Sequence, residues 1–404
     1  MITDGHEKPT MSSPFSRKLQ SNYLIGFLLL SIGGYLPSAY NYVLFRGYGI
    51  DHSTIEHFFI YCFVGSLFGG TFVASLADHC GRRNACLLCS VIYGLYHASC
   101  NSSNEWILII GHIFRGIGDA LYSTAFEAWL MQEHEQSDLD ICVLERILYN
   151  SNVYLNIVTI GTGFLAQLLS ESYGYIAPFN VGIGFFAISF VFILIKWSEN
   201  YGRKKVFVHT THVPAMRILR TNPRIVLCGL ANALFRASFY IWLIEWTPAL
   251  HAATEKIFAE PLPLGFMYSC YLLSRLLGSF AFGSLIKRFR TQTFMIVIFL
   301  LAAIGLSVPV ITPNDQLMIL LGFLLLQICE GIFVPSIALL RSEYIPNEFL
   351  STNYIDELSA CTSTYTNACC FAWTLSVNYC LYVVCIYVII GHVNYDDITK
   401  ALNY

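Results

Sequence analysis

Apolar runs close to twenty residues long recur along this chain, and few charges interrupt them. A run of that length carries an α-helix across about 30 Å of hydrocarbon. Inside lipid no water is available to the backbone, so each spanning segment must close its own hydrogen bonds. The chain is therefore read as a polytopic bundle of membrane helices. Composition agrees: 55% of the 404 residues are hydrophobic and 12% are charged, against about a quarter charged in soluble domains. The mean hydropathy is +0.57, and a soluble core is excluded.

Hydropathy places spans at 22–45, 54–77, 83–101, 106–130, 148–170, 175–197, 223–249, 263–286, 292–311, 315–340 and 367–391, eleven in all. A polar, basic stretch at 198–222 separates the first six, with an amino-terminal tail over 1–21, from a second group over 223–404. The tail is polar and leads straight into the first span, which is expected to serve as the insertion signal. Lys and Arg set the orientation. Arg17, Lys18, Arg82, Arg83, Lys196, Arg203, Lys204, Lys205, Lys287, Arg288 and Arg341 fall on one side, and little beyond Arg46 and Lys256 falls on the other. Basic loops stay in the cytosol, so the amino terminus is expected there. The fourteen cysteines make no disulfide or zinc framework. Cys86 and Cys89 form a C-x-x-C inside a span and are expected to pack as small apolar residues.

The two groups echo one another. The segment FVGSLFGGTFVASLAD (63–78) lines up with YLLSRLLGSFAFGSLIK (271–287) at an offset of about 209 residues, which sets Gly69 opposite Gly278. A parallel repeat of two six-helix bundles is one plan of secondary transporters. The loop SLADHCGRRNA (75–85) adds a motif, with Asp78, Gly81, Arg82 and Arg83 in the order Asp-x-x-Gly-Arg-Arg. This resembles the signature between spans two and three of the major facilitator superfamily, where the loop acts as a conformational latch. TAFEAWLMQEH (124–134), WSENYG (197–202), WTPAL (246–250) and GIFVPSIALLRSEYIP (331–346) narrow the likeness. Together they resemble the molybdate-anion transporter branch over roughly residues 35 to 346. That resemblance implies an all-α major facilitator fold of two pseudo-symmetric six-helix bundles, which takes up molybdate, a tetrahedral oxyanion.

The chain departs from that branch at defined places. Gly34-Tyr35 stands for an Asp-Trp pair, Leu234-Phe235-Arg236 for a Leu-Phe-Glu triplet, and His112 for an arginine. After about residue 347 the likeness fades into a polar stretch followed by one apolar run, and the expectation is either that one span replaces the eleventh and twelfth, leaving the carboxy-terminal bundle one short, or that the tail is an alternative or misassembled end.

Ionisable residues inside the apolar spans carry the functional reading. At 100° per residue, His112, Arg115, Asp119, Ser123 and Glu127 fall within about 120° of one another on a helix. A charge at the bilayer centre costs at least about 3 kcal/mol, so such a stripe should face the bundle interior. Arg115 and Asp119, spaced i, i+4, are expected to pair. Arg236, Arg275 and Glu330 are central in their own spans, and a pair between Arg275 and Glu330 would fasten helices without any substrate role. Arg236 has no acid on the same face of its own span. Guanidinium forks suit oxyanions. The expected substrate contacts are Arg115, Arg236, Arg275, Tyr240 and Tyr271. The expected coupling or gating groups are Asp119, Glu127, Glu330 and His112. The midplane between the bundles is where such folds place substrate. No P-loop, metal cluster or catalytic triad stands out, so neither an enzyme, a cofactor nor a nucleic-acid partner is expected. The reading is a monomeric secondary transporter of the cell membrane that takes up molybdate. Transport of another anion or small solute, and a transporter-derived scaffold or receptor that no longer transports, stand as alternatives.

Overall fold

A computed structural model describes residues 14–69, 81–137, 139–201, 223–254 and 262–344. Every regular element among the described residues is a helix. In order these are α1 (Pro14–Tyr35), α2 (Asn41–Gly47), α3 (His52–Phe68), α4 (Arg82–Ser99), α5 (Glu105–Gln136), α6 (Ile141–Tyr173), α7 (Ala177–Lys196), α8 (Pro223–Thr254), α9 (Leu264–Leu285), α10 (Thr291–Ile311) and α11 (Gln316–Tyr344). Asp78, most of the 198–222 stretch and the expected span at 367–391 lie outside the described residues.

Short polar residues mark where helices begin. Asp51 accepts from the Thr54 amide at 3.3 Å, Asn104 from the Trp106 amide at 2.9 Å and Asp140 from the Cys142 amide at 3.1 Å. Asp315 does the same for the Leu317 amide at 3.1 Å. Each satisfies an N–H that the first helical turn leaves without a partner. The first expected span, 22–45, is instead two helices. Pro37 has no N–H to continue the ladder, its carbonyl accepts from the Tyr40 amide at 2.8 Å, and α1 therefore ends at Tyr35 before α2 begins at Asn41. Pro248 and Pro335 lie within α8 and α11.

The described helices form two compact units. One holds α1–α7 together with residues 264–269, and the other holds α8, the rest of α9, α10 and α11. In the first, α5 packs on α3 and α4, and α7 packs on α1 and α4. Phe126, Trp129, Leu130, Ile147, Phe186 and Ile193 are buried in its core. Cys86 and Cys89 are free thiols in the same core. In the second unit α11 packs on α8 and α10, and Phe235 stacks on Phe333 with ring centroids 3.9 Å apart.

Lipid tails are as apolar as leucine, so close packing at small residues holds such helices together. Each unit uses this at a corresponding crossing. A methyl on Gly116 of α5 would strike the Cys62 carbonyl of α3, and one on Gly65 of α3 would strike the Ile113 carbonyl of α5. In the second unit a methyl on Gly331 of α11 would strike the Arg275 carbonyl of α9, and one on Gly278 would strike the Ile328 carbonyl. The contacts match Gly65 with Gly278, 213 residues on, and Gly116 with Gly331, 215 residues on. The repeat is thus real but its register differs from the one expected. Gly65-Ser66 corresponds to Gly278-Ser279, whereas the sequence echo had set Gly69 against Gly278. The helix crossing fixes the register, because only backbone without a Cβ fits there.

Candidate functional site

The stripe on α5 divides into a packed part and an accessible part. His112 is buried, stacked on Phe58 at 4.8 Å and edge-on to Tyr96 at 5.2 Å. Its Nδ1 lies 2.8 Å from the Leu108 carbonyl. One turn on, Arg115 donates from Nη1 to the Tyr96 hydroxyl at 3.3 Å. Its guanidinium sits 5.4 Å from the Tyr96 ring centroid and 5.9 Å from that of Phe59, within reach of cation–π attraction. Asp119 accepts from the Tyr93 hydroxyl at 2.7 Å and from the Cys62 thiol at 3.7 Å. Among the described residues no ion pair joins Arg115 to Asp119. The expected i, i+4 bridge gives way to tyrosine partners that α4 brings to each group. Asp119, Ser123 and Glu127 are exposed.

In the second unit an ion pair lies inside the apolar helices. Arg236 of α8 donates from Nη1 to Glu330 Oε1 of α11 at 2.9 Å. The Glu330 side chain is fully buried, while 32% of the Arg236 side chain stays accessible. The acid that α8 lacks on this face therefore comes from another helix. The expected bridge between Arg275 and Glu330 is replaced by this one. At the Gly278–Gly331 crossing α9 presents the Arg275 backbone to α11, so its side chain points elsewhere. Among the described residues the Arg275 guanidinium has no acidic partner. Tyr240 is half-buried on α8. Tyr271 is buried, with its ring perpendicular to that of Trp242 and centroids 5.4 Å apart.

Two residues of α8 and α11 were not anticipated. Trp242 and Gln327 are buried, and among the described residues Trp242 Nε1, Gln327 Nε2, Tyr271 Oη and Glu330 Oε2 meet no hydrogen-bond partner. A buried polar atom without a partner costs about 1–3 kcal/mol. The available sequence signal was Gln327 itself, an amide three residues before Glu330 and on the same face of an apolar helix.

The repeat relates the two charged positions. Ile113-Phe114-Arg115-Gly116-Ile117 of α5 corresponds to Ile328-Cys329-Glu330-Gly331-Ile332 of α11. Arg115 and Glu330 thus occupy equivalent places, each immediately before the crossing glycine, with opposite charge.

The Gly-Arg-Arg end of the loop motif is tied to the end of α7. Gly81 has φ +103°, a conformation that L side chains avoid, and a methyl there would strike the Glu199 carboxylate. Glu199 accepts from the Arg83 amide at 3.1 Å and lies 3.4 Å from Arg83 Nε. The Arg82 amide donates to the Asn200 carbonyl at 2.9 Å, and Arg82 Nη1 to the Ala128 carbonyl at 2.6 Å. Trp129 and Trp197 stack at 3.8 Å, and Trp129 Nε1 donates to the Ser198 carbonyl at 2.9 Å. The WSEN segment therefore caps α4 and clips it to α5.

Residues 2–326 match a family model described as sugar transporters with 12 transmembrane segments. The molybdate-anion transporter of Xenopus tropicalis is 25% identical over 361 residues, covering 85% of this chain and 77% of that protein. The molybdate-anion transporter of Takifugu rubripes is 24% identical over 378 residues, covering 85% and 77%. Among solved structures, the nucleoside transporter NupG aligns with a TM-score of 0.70 at 12% identity, covering 94% of this chain and 98% of its own. A D-xylose-proton symporter aligns with a TM-score of 0.65 at 12% identity, covering 93% and 95%. Structures that share the helices but carry such different solutes establish the fold and not the cargo. Together with the apolar helices, these matches make the protein a multi-pass membrane transporter rather than an enzyme, and the chain belongs to the major facilitator superfamily, in the family that includes the molybdate-anion transporters.

Proposed function

We propose that the protein takes up an oxyanion, with molybdate as the first choice, by alternating access, and that each unit offers donors to it through its embedded arginine, Arg115 in the first and Arg236 in the second. The observation that supports this reading is donor capacity. A guanidinium has five N–H donors, and here the Arg115 side chain has one hydrogen bond, to Tyr96, and the Arg236 side chain one, to Glu330. Two arginines held within apolar helices, each with most of its donors open, suit a ligand that offers only acceptors. A tetrahedral dianion is such a ligand, and charge-assisted bonds to it are about twice as strong as neutral ones. The names of the curated relatives point the same way. The distribution of Lys and Arg supports a cytosolic amino terminus, and residence in the cell membrane is part of the same proposal.

The alternative is a neutral, hydroxylated solute, favoured by the description of the family model. The two readings separate in proteoliposomes. Radiolabelled molybdate, sulfate and xylose are offered to the purified full-length chain. Saturable molybdate uptake, competed by sulfate and lost in Arg115→Gln, is the expected result. Xylose uptake with no oxyanion uptake overturns it.

A further inference from the structure

The break between α1 and α2 has a consequence at Arg115. α1 ends ahead of Pro37, and α2 begins at Asn41. Asn41 Nδ2 donates to the Ser38 carbonyl within that break at 3.4 Å, which turns its Oδ1 the other way. The Tyr96 hydroxyl of α4 donates to this oxygen at 3.0 Å. A phenol has a single O–H, so toward Arg115 the same oxygen acts as an acceptor, and Arg115 Nη1 donates to it at 3.3 Å. The chain from Arg115 through Tyr96 and Asn41 to Ser38 therefore runs in one direction. Tyr96 itself is buried and edge-on to His112, with centroids 5.2 Å apart. Phe59 of α3 and Tyr96 both set their rings against the guanidinium, at 5.9 and 5.4 Å. Arg236 is held by a carboxylate. Arg115 is held by a phenol oxygen and two ring faces, all of them neutral, and among the described residues no ion pair involves it.

We infer that Tyr96 and Asn41 are positioning residues, which aim the Arg115 guanidinium at the oxyanion before the oxyanion arrives. This deepens the oxyanion reading above and rests on it. An arginine is a planar fork on a flexible stem. Anchoring Nη1 on Tyr96 and keeping the guanidinium against two rings restricts where the remaining N–H groups point. Donors ordered in advance bind more tightly, because less freedom is lost when the ligand is seated. A neutral anchor does this without placing a rival negative charge on the guanidinium. Asn41 acts through Tyr96, since its oxygen fixes where the phenol hydrogen points, and Tyr96 acts through Arg115. Both side chains therefore set affinity rather than turnover, and they work as one unit.

The test measures initial rates of labelled molybdate uptake by the full-length chain in liposomes over a range of molybdate concentrations, with thermal midpoints taken in detergent. Tyr96→Phe keeps the ring against the guanidinium and loses only the hydroxyl. Asn41→Leu keeps the hydroxyl and removes its fixed acceptor. Each should raise KM about tenfold, or about 1.4 kcal/mol, and leave kcat within about twofold. The double variant should be no worse than Tyr96→Phe alone, because two members of one chain do not act independently. A lowered midpoint with unchanged KM in both single variants marks a purely structural role and overturns the inference. So does a double variant whose KM rises about a hundredfold, the product of two independent losses. Should Tyr96→Phe fail to fold, unchanged KM in Asn41→Leu overturns it alone. Each of these results leaves the oxyanion reading standing, since the unaltered protein still takes up molybdate. Absence of molybdate uptake by the unaltered protein overturns that reading and the inference with it.

Discussion

The Arg236–Glu330 pair should be energetically lopsided, and that asymmetry can be measured. Removing Arg236 leaves a carboxylate whose side chain has no accessible surface, with both oxygens now unpartnered. Breaking a buried pair in this way costs about 3–5 kcal/mol, because the remaining charge is uncompensated. Removing Glu330 leaves an arginine with 32% of its side chain accessible, free to turn to water. Its loss should be nearer about 1–2 kcal/mol, that of one charged hydrogen bond. At about 2–4 °C per kcal/mol for a domain of this size, Arg236→Gln should lower the unfolding midpoint in detergent by roughly 6–20 °C, and Glu330→Gln by roughly 2–8 °C. The double variant should recover most of the difference, since it buries no charge. Acid should also narrow the gap, because a protonated Glu330 in Arg236→Gln is neutral. Equal losses in the two single variants, or a double variant no better than Arg236→Gln, would refute the view that Glu330 is a buried charge held by Arg236.

Other expectations follow from the same geometry. Gly116→Val and Gly331→Val push side chains into the carbonyls of Cys62 and Arg275. Each should cost at least about 1–3 kcal/mol and lower the midpoint, whereas Gly184→Ala, where nothing lies within 4 Å of the added carbon, should be close to neutral. Glu199→Gln keeps an acceptor for the Arg83 amide and should cost about 1 kcal/mol or less. Glu199→Ala also uncaps α4 and should cost about 2 kcal/mol, so equal thermal shifts would argue against the cap. The hydrogen bonds from Thr54 hold the Asp51 carboxyl below its ordinary range. That contribution is present above the unfolded-state value and disappears as pH falls through the lowered one. Asp51→Ala should therefore be less stable than the parent near neutrality and indistinguishable from it in strong acid.

Much of the fold was legible because lipid imposes simple rules. Spans 83–101, 175–197, 263–286 and 292–311 lie within a few residues of α4, α7, α9 and α10, and α7 and α10 are long and apolar enough by themselves to cross a membrane. The caps at Asp51, Asn104, Asp140 and Asp315 were not among the sequence expectations, although each acts within one turn of its own chain. Pro37 marked a break that hydropathy alone ran through. The stripe from His112 to Glu127 was visible from helical spacing, but the partners of its members were not. Arg115 and Asp119 look like a pair on a helical wheel, and only the approach of α4 shows that Tyr96 and Tyr93 take that place.

The amino-acid sequence by itself determined that this chain crosses a membrane as helices, that it repeats one plan twice, and that ionisable groups are buried along that plan. Those facts follow from length, periodicity and the cost of charge in hydrocarbon, all of which act within a single helix. The tertiary structure alone decided which groups meet. Glu330 belongs to Arg236 and not to Arg275, and the repeat aligns through Gly65 and Gly278. Both outcomes turn on where two helices come close enough for backbones to touch, a distance that no spacing along one helix encodes.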